Sequence, residues 1–232
     1  MRNLDAGEIT MQVVETARLL EPQGERVSHV VFMGMGEPFE NYDAVLSSIR
    51  LLVHPDIMAM SQRHLTVSTV GIPSQIRRFA DEGLKVNLVL SLHAPNQRIR
   101  QKIIPYARKY PIEELLESML YFARTTRRDI TYEYTLLAGI NDRYEDAEEL
   151  ARLVRGHPCT VNLIPYNPVE GLRLDRPSGA TIESFRAVLE EAGLSVTWRY
   201  TKGKEIAAAC GQLALHTTQE SARAEKVATA IS

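Results

Sequence analysis

The segment Lys85-Val86-Asn87-Leu88-Val89-Leu90-Ser91-Leu92-His93-Ala94-Pro95 decides the fold. Through Leu92 it runs almost without interruption in Val and Leu, the composition of a parallel strand buried on both faces. It then stops at a histidine and a proline. Moving outward, the same alternation recurs. Further strands are expected over Ser28–Met33, His64–Val70, Asp129–Leu137, Cys159–Pro165 and Leu194–Tyr200. Amphipathic patterns fill the gaps: Ala6–Leu20, with Leu4 and Asp5 marking its start, then Tyr42–Val53, Pro73–Glu82, Ile112–Arg127, Tyr144–Arg155 and Thr181–Ala192. Gly83, Gly156 and Gly193 stand where a left-handed terminal residue would close a helix. Repeats of strand, helix and strand at about 20 to 45 residues predict an α/β fold with a parallel sheet, open or curled into a barrel.

Composition narrows the function. The chain has 232 residues, 44% hydrophobic and 24% charged, an ordinary globular balance. Two cysteines, Cys159 and Cys210, are too few for a disulfide framework or for a three-thiolate metal site. No run of 18 apolar residues exists and Met1–Asp5 lacks the apolar core of a signal peptide, so a soluble, cytoplasmic protein without a membrane partner is expected. The net charge of −2 excludes a global basic field. Basic residues do cluster at Arg98, Arg100, Lys102, Arg108 and Lys109, at Arg124, Arg127 and Arg128, and at Arg199, Lys202 and Lys204. Each cluster reads equally as a solvated helix face; together they would permit phosphate contacts on one side of the molecule.

Ligands of parallel α/β folds gather at the carboxyl ends of strands. Those ends carry Gly34-Met35-Gly36-Glu37-Pro38, Ser68-Thr69, Ser91-Leu92-His93, Tyr132-Glu133-Tyr134 and Pro165-Tyr166-Asn167-Pro168. A dinucleotide reading of the glycines fails, because the sixth position is Phe39 and the next strand ends in Ser68 and Thr69 without an acidic residue. Glu37 is instead a carboxylate able to accept hydrogen bonds from a ligand ammonium, or a helix-leading glutamate beside a proline. Ser68, Ser91, His93 and Asn167 either line a site or satisfy loop backbone. Cys210 follows the basic segment Arg199–Lys204, which favours thiolate, and small neighbours leave it approachable; as a lone cysteine it reads otherwise as inert and buried. Cys159 begins an apolar strand and reads as core filler.

Taken in order, Met33-Gly34-Met35-Gly36-Glu37-Pro38, Val67-Ser68-Thr69, Leu90-Ser91-Leu92-His93-Ala94, Asn162-Leu163-Ile164-Pro165-Tyr166-Asn167-Pro168 and Ala208-Ala209-Cys210-Gly211-Gln212-Leu213 resemble the radical S-adenosylmethionine RNA methyltransferases of the RlmN type. The resemblance extends to Arg2-Asn3-Leu4 and covers the chain to about Leu213. It implies a partial TIM-type barrel over residues 1–213, followed by a polar tail over 214–232. It implies methylation of carbon-2 of an adenine in 23S rRNA and tRNA, with a Cfr-like carbon-8 methyltransferase as the alternative outcome. S-adenosylmethionine would be held by Gly36, Glu37, Ser68, Ser91, Leu92, His93 and Asn167. Cys210 would carry the methyl group: one adenosylmethionine methylates it by displacement, and a second, cleaved reductively, generates the radical that activates it. A flavodoxin-type reducing partner is implied as well.

The family also carries a C-x-x-x-C-x-x-C motif whose thiolates hold a [4Fe–4S] cluster. That motif is absent here, as are the family's first barrel strand, second cysteine, proposed glutamate base and N-terminal RNA-binding domain. The chain opens on a helix where a barrel ordinarily opens on a strand, which agrees with a missing first strand. These departures predict a chain inactive alone, or a remnant that binds adenosylmethionine or RNA without catalysis. They also predict an unpaired edge along Ser28–Met33 and self-association through it.

Overall fold

The computed structural model describes residues 2–33, 36–168 and 174–198. Six strands, β1 (Val30–Phe32), β2 (Leu65–Thr69), β3 (Asn87–Ser91), β4 (Ile130–Leu136), β5 (Cys159–Pro165) and β6 (Ser195–Trp198), form one sheet in the order of the chain. Every pairing is parallel. Helices alternate with them: α1 (Ala6–Leu20), α2 (Tyr42–Val53), α3 (Pro73–Asp81), α4 (Gln97–Ile103), α5 (Ile112–Thr126), α6 (Tyr144–Leu153) and α7 (Gly179–Glu191). A sheet whose strand order never reverses has no switch point, so right-handed crossovers wind the helices onto one face, as in a barrel. Here the described sheet stays open, with β1 and β6 at its edges.

Local chemistry accounts for the element ends. Asp5 caps α1, its Oδ1 accepting the Glu8 N–H at 2.8 Å while the Glu8 carboxylate accepts the Asp5 N–H at 2.9 Å. Gly83, Gly156 and Gly193 have the positive φ expected of them, at 69°, 76° and 81°. Gly71, just past β2, answers a different demand. A Cβ there would stand 2.4 Å from Leu115 Cδ1, so glycine lets the strand end lie against α5. The short helix α4 lies between two predicted elements, where the sequence reading placed only a basic cluster.

The expectation that strands are buried on both faces holds at the middle of the sheet, where Ser68, Val89, Glu133 and Asn162 are buried on the second face, but the two faces differ in chemistry. Strand residues of the hydrophobic core, among them Phe32, Leu65, Val67, Leu88, Leu90, Tyr132, Tyr134 and Leu163, all belong to one face and pack with residues of the helices. The other face carries Thr66 and Ser68, then Asn87 and Ser91, then Thr131 and Glu133, then Thr160 and Asn162, aligned by the register. Apart from Val31, Val89 and Ile164, the residues of this face are polar, which marks it as a face that does not pack against helices.

Two of the basic clusters also part company. Arg124 lies in the last turn of α5, ahead of β4, whereas Arg98 and Lys102 lie on α4, which follows β3. They therefore sit at opposite ends of the sheet, so these two clusters form no common basic side; the third, at Arg199, Lys202 and Lys204, lies outside the described residues. Arg100 does not belong to a solvated face at all, being fully buried.

Candidate functional site

The polar strand ends converge through hydrogen bonds. Gly36, at φ 105°, precedes Glu37, which caps a short 3-10 turn over Pro38–Asn41. Glu37 Oε1 accepts the Phe39 N–H at 3.0 Å and the Thr69 hydroxyl at 2.7 Å; Oε2 accepts the Val70 N–H at 2.8 Å. The carboxylate thus ties the loop after β1 to the end of β2. Burial pushes its pKa up, opposed by the hydroxyl and amide donors. A carboxylate offers about four acceptor positions, so one on Oε2 is left over from its partners among the described residues. Gly36 and Glu37 line a groove of about 520 Å³ that also runs along Val30–Met33 at the open edge.

Arg100 holds the other backbone group of Val70. Its Nη2 donates to the Val70 carbonyl and, at 3.4 Å, to the Ser91 carbonyl, while Nε and Nη1 are buried without a hydrogen-bond partner among the described residues. Desolvation lowers its pKa to about 10. The backbone of Val70 is therefore held on both sides, by a carboxylate on its N–H and a guanidinium on its carbonyl.

The end of β3 is fixed from β4. Leu92 and His93 both donate their N–H groups to the Glu133 carbonyl, at 3.0 and 3.1 Å. His93 adopts a left-handed φ of 54°, and its Nδ1 accepts the Thr135 N–H at 3.0 Å. An accepting Nδ1 requires the neutral ring with its proton on Nε2. Desolvation, and then the charge of Arg100, lower the His93 pKa to about 4. Asn141 completes the corner: its Nδ2 donates to the carbonyls of His93 and Thr135, both at 2.8 Å, and its Oδ1 accepts the Leu137 N–H at 2.7 Å. Across the sheet Ser91, Glu133, Asn162 and Thr197 stand in register. Thr197 donates to Asn162 Oδ1 at 3.1 Å, and Asn162 Nδ2 lies 3.5 Å from Glu133 Oε1.

The structure thus brings Gly36, Glu37, Ser68, Ser91, Leu92 and His93 to one end of the sheet. Leu92 is fully buried and turns to the core, so only its backbone serves the strand end. Asn167 follows β5, its Oδ1 accepting from Arg176 Nη1 at 3.3 Å. Cys210 lies outside the described residues, as do Gly34 and Met35. Cys159 packs against the edge of the core, and burial followed by Asp129 pushes its thiol up to about 11, in keeping with a structural cysteine.

Sequence reasoning passed over Arg100, Glu133, Asn141 and Asn162 as site residues. Glu133 was legible from parity, since Thr131-Glu133-Thr135 alternates with Ile130-Tyr132-Tyr134-Leu136. Arg100 was legible from its place three and four residues before Ile103 and Ile104. Nothing in the local sequence announces that Asn141 reaches back to β3.

The implied cofactors fit unequally. Open space beside the Gly36 backbone, where a Cβ would meet nothing within 4 Å, and polar groups on neighbouring strand ends suit a ligand with an amino-acid moiety and hydroxyl groups. An iron–sulfur cluster does not fit this chain's own residues. Two cysteines cannot supply three thiolates, and the described residues hold no group of three His, Cys, Asp or Glu able to bind a metal ion.

Comparison with known proteins agrees with this geometry. A protein of Protochlamydia amoebophila called probable dual-specificity RNA methyltransferase RlmN 2 is 62% identical over 92% of this chain and 60% of its own length. The ribosomal RNA large subunit methyltransferase N of Nitrosopumilus maritimus is 45% identical over 91% of this chain and 60% of its own. The chain thus spans about three fifths of the length of these curated relatives. The crystal structure of a radical SAM methyltransferase from Sphaerobacter thermophilus superposes with a TM-score of 0.89 at 45% identity, over 91% of this chain and 62% of that one. The model of the Radical SAM superfamily matches residues 7–154. That match runs from α1 through α6 and includes the first four strands with the glycine, serine and histidine ends just described, and by it the chain belongs to the radical SAM superfamily.

Proposed function

We propose that this chain supplies the adenosylmethionine-binding part of an RNA methyltransferase that modifies carbon-2 of an adenine in 23S rRNA and tRNA. The observation that carries the reading is the hydrogen-bonded set Glu37, Val70, Arg100, Ser91 and His93 at one end of a one-sidedly wound sheet. The names of the relatives supply the substrate class. S-adenosylmethionine, when bound, supplies the one-carbon unit.

The chain's own residues then have distinct tasks. Gly36 leaves room for the ligand's ammonium, and the remaining acceptor position on Glu37 Oε2 receives it. Thr69 and the Phe39 and Val70 amides donate to that carboxylate and oppose the rise that burial gives its pKa. Ser68 and Ser91 offer hydroxyls from neighbouring strands on the polar face. His93, kept neutral, offers an Nε2–H donor. Asn167 contributes from the end of β5, and Cys210 is the methyl carrier. A cluster and a flavodoxin-type reductant belong to the complete system, in the cytoplasm, with the cluster's thiolates coming from outside this chain.

The test is mass spectrometry of RNA from cells carrying this gene and from cells in which it is deleted. Loss of 2-methyladenine from 23S rRNA is the expected result. Loss of 8-methyladenine would move the reading to the Cfr-like reaction, and unchanged methyladenine would end both.

A further inference from the structure

Between α4 and the loop joining β4 to α6 lies a cavity of about 310 Å³. Ile99, Leu137 and Ile140 give it an apolar floor. Arg98 and Lys102, one helical turn apart on α4, and Arg143 at the head of α6 stand around it. None of these three cations makes a salt bridge within 4 Å among the described residues, although Arg143 is close enough to Asp146 to act on its charge. The acidic residue in the lining, Asp146, is buried and accepts the Arg143 backbone N–H at 3.1 Å. The lining itself carries three positive charges against one negative, with Asp142 and Glu149 acting on Asp146 from outside it. Like charges four residues apart on a helix repel, and an anion between them turns that repulsion into attraction.

The cavity is built into the candidate site. Helix α4 begins where the β3 end finishes, and residues 137–143 follow the end of β4, so both walls stand at the same end of the sheet as Ser91 and His93. Asn141, in the loop that forms one wall, donates to the His93 carbonyl at 2.8 Å and holds Leu137 through its Oδ1. The cationic pocket and the strand-end site are therefore fixed to each other by direct hydrogen bonds.

We propose that this cavity receives a backbone phosphate of the RNA, holding the polynucleotide beside the strand ends; the inference rests on the RNA methyltransferase reading above. Arginine forks match phosphate oxygens in pairs, and phosphate contacts set the position of a nucleic acid without reading its bases. The recess admits a group that projects from a backbone, which favours a phosphodiester over the carboxylates of a flat acidic protein surface.

The experiment is fluorescence anisotropy of a labelled RNA stem-loop titrated with potassium chloride. It compares the wild-type chain, the variant R98Q/K102Q/R143Q and the control R124Q/R152Q/R155Q, which removes equal charge at the opposite end of the sheet. The cavity variant should bind about tenfold more weakly per lost contact near about 50 mM salt, its log–log salt slope shallower by about 0.7 to 0.9 per contact. The control should keep the wild-type slope, and all three should retain adenosylmethionine equally in dialysis. Equal slopes in wild type and cavity variant would overturn the proposal, as would an equal loss in the control or a wild type without salt-dependent binding. A cavity variant that kept its RNA slope while losing affinity for poly-glutamate would overturn it in favour of an acidic protein partner. The methyladenine measurement is independent of this pocket, so failure of the pocket and failure of the methyl-transfer reading are separate results.

Discussion

On the helix-packed face of the sheet, Leu90 stands in register with Tyr132 and Val161; one residue further along each strand, on the other face, Ser91 stands in register with Glu133 and Asn162. The first row belongs to the core and is fully buried. In the second, Asn162 is linked by hydrogen bonds to Glu133 and onward to Thr197. Both rows come from the same three strands, and the only difference is the parity of the position. At these strand ends two sequences are thus interleaved, one suited to packing and the other to polar contact. Stability and ligand recognition can therefore be changed separately, by mutating neighbours.

The sharpest break of that comparison is Leu90→Ala. Truncating a buried leucine costs about 2–5 kcal/mol through lost transfer energy and the cavity left behind. Urea denaturation should show it, and a loss below about 1 kcal/mol would mean that this face is not the core. Next comes Thr69→Val, which removes the hydroxyl donor from the buried Glu37 carboxylate. A lost hydrogen bond to a charged group costs about 1.5–3 kcal/mol, and the same unfolding experiment should also show adenosylmethionine retention reduced, because the carboxylate is no longer held in place.

Titration separates the faces further. His93 is held neutral, with its pKa lowered to about 4. The unfolded chain therefore takes up a proton at this residue before the folded one does, and stability should be lost as pH falls from about 6.5 toward about 4. Glu37 acts in the opposite sense. Its folded pKa is raised, so its contribution is greatest at low pH and declines as pH rises through the folded value. Thermal midpoints across pH for wild type, H93N and E37Q should flatten one limb each; an unchanged profile in either variant would remove that residue from the account.

The smallest changes in stability should fall on the polar face and the open edge. Ser91→Ala should leave stability within about 0.5 kcal/mol, as surface changes do, while weakening adenosylmethionine binding about tenfold, the equivalent of one hydrogen bond. A variant unchanged in both would remove Ser91 from the site. Val31, 50% exposed on the edge strand β1, offers backbone to another chain. Val31→Lys should reduce self-association measured by light scattering without shifting the thermal midpoint, and a wild-type chain already monodisperse would show that the edge is protected.

Much of this protein is legible in its residues. Periodicity placed all six strands and every long helix, because apolar spacing and helix-ending glycines are local signals. Motif order identified the strand ends, because a parallel sheet puts its chemistry where strands stop. Tertiary structure decided what those ends touch. That Glu37 and Arg100 grip the backbone of one residue, that Arg100 is buried while Arg98 and Lys102 stay outside, and that Asn141 fastens a cationic pocket to His93 all depend on which strands are neighbours. Those neighbours lie tens of residues apart in the chain, and only the sheet's register brings their atoms within hydrogen-bonding distance.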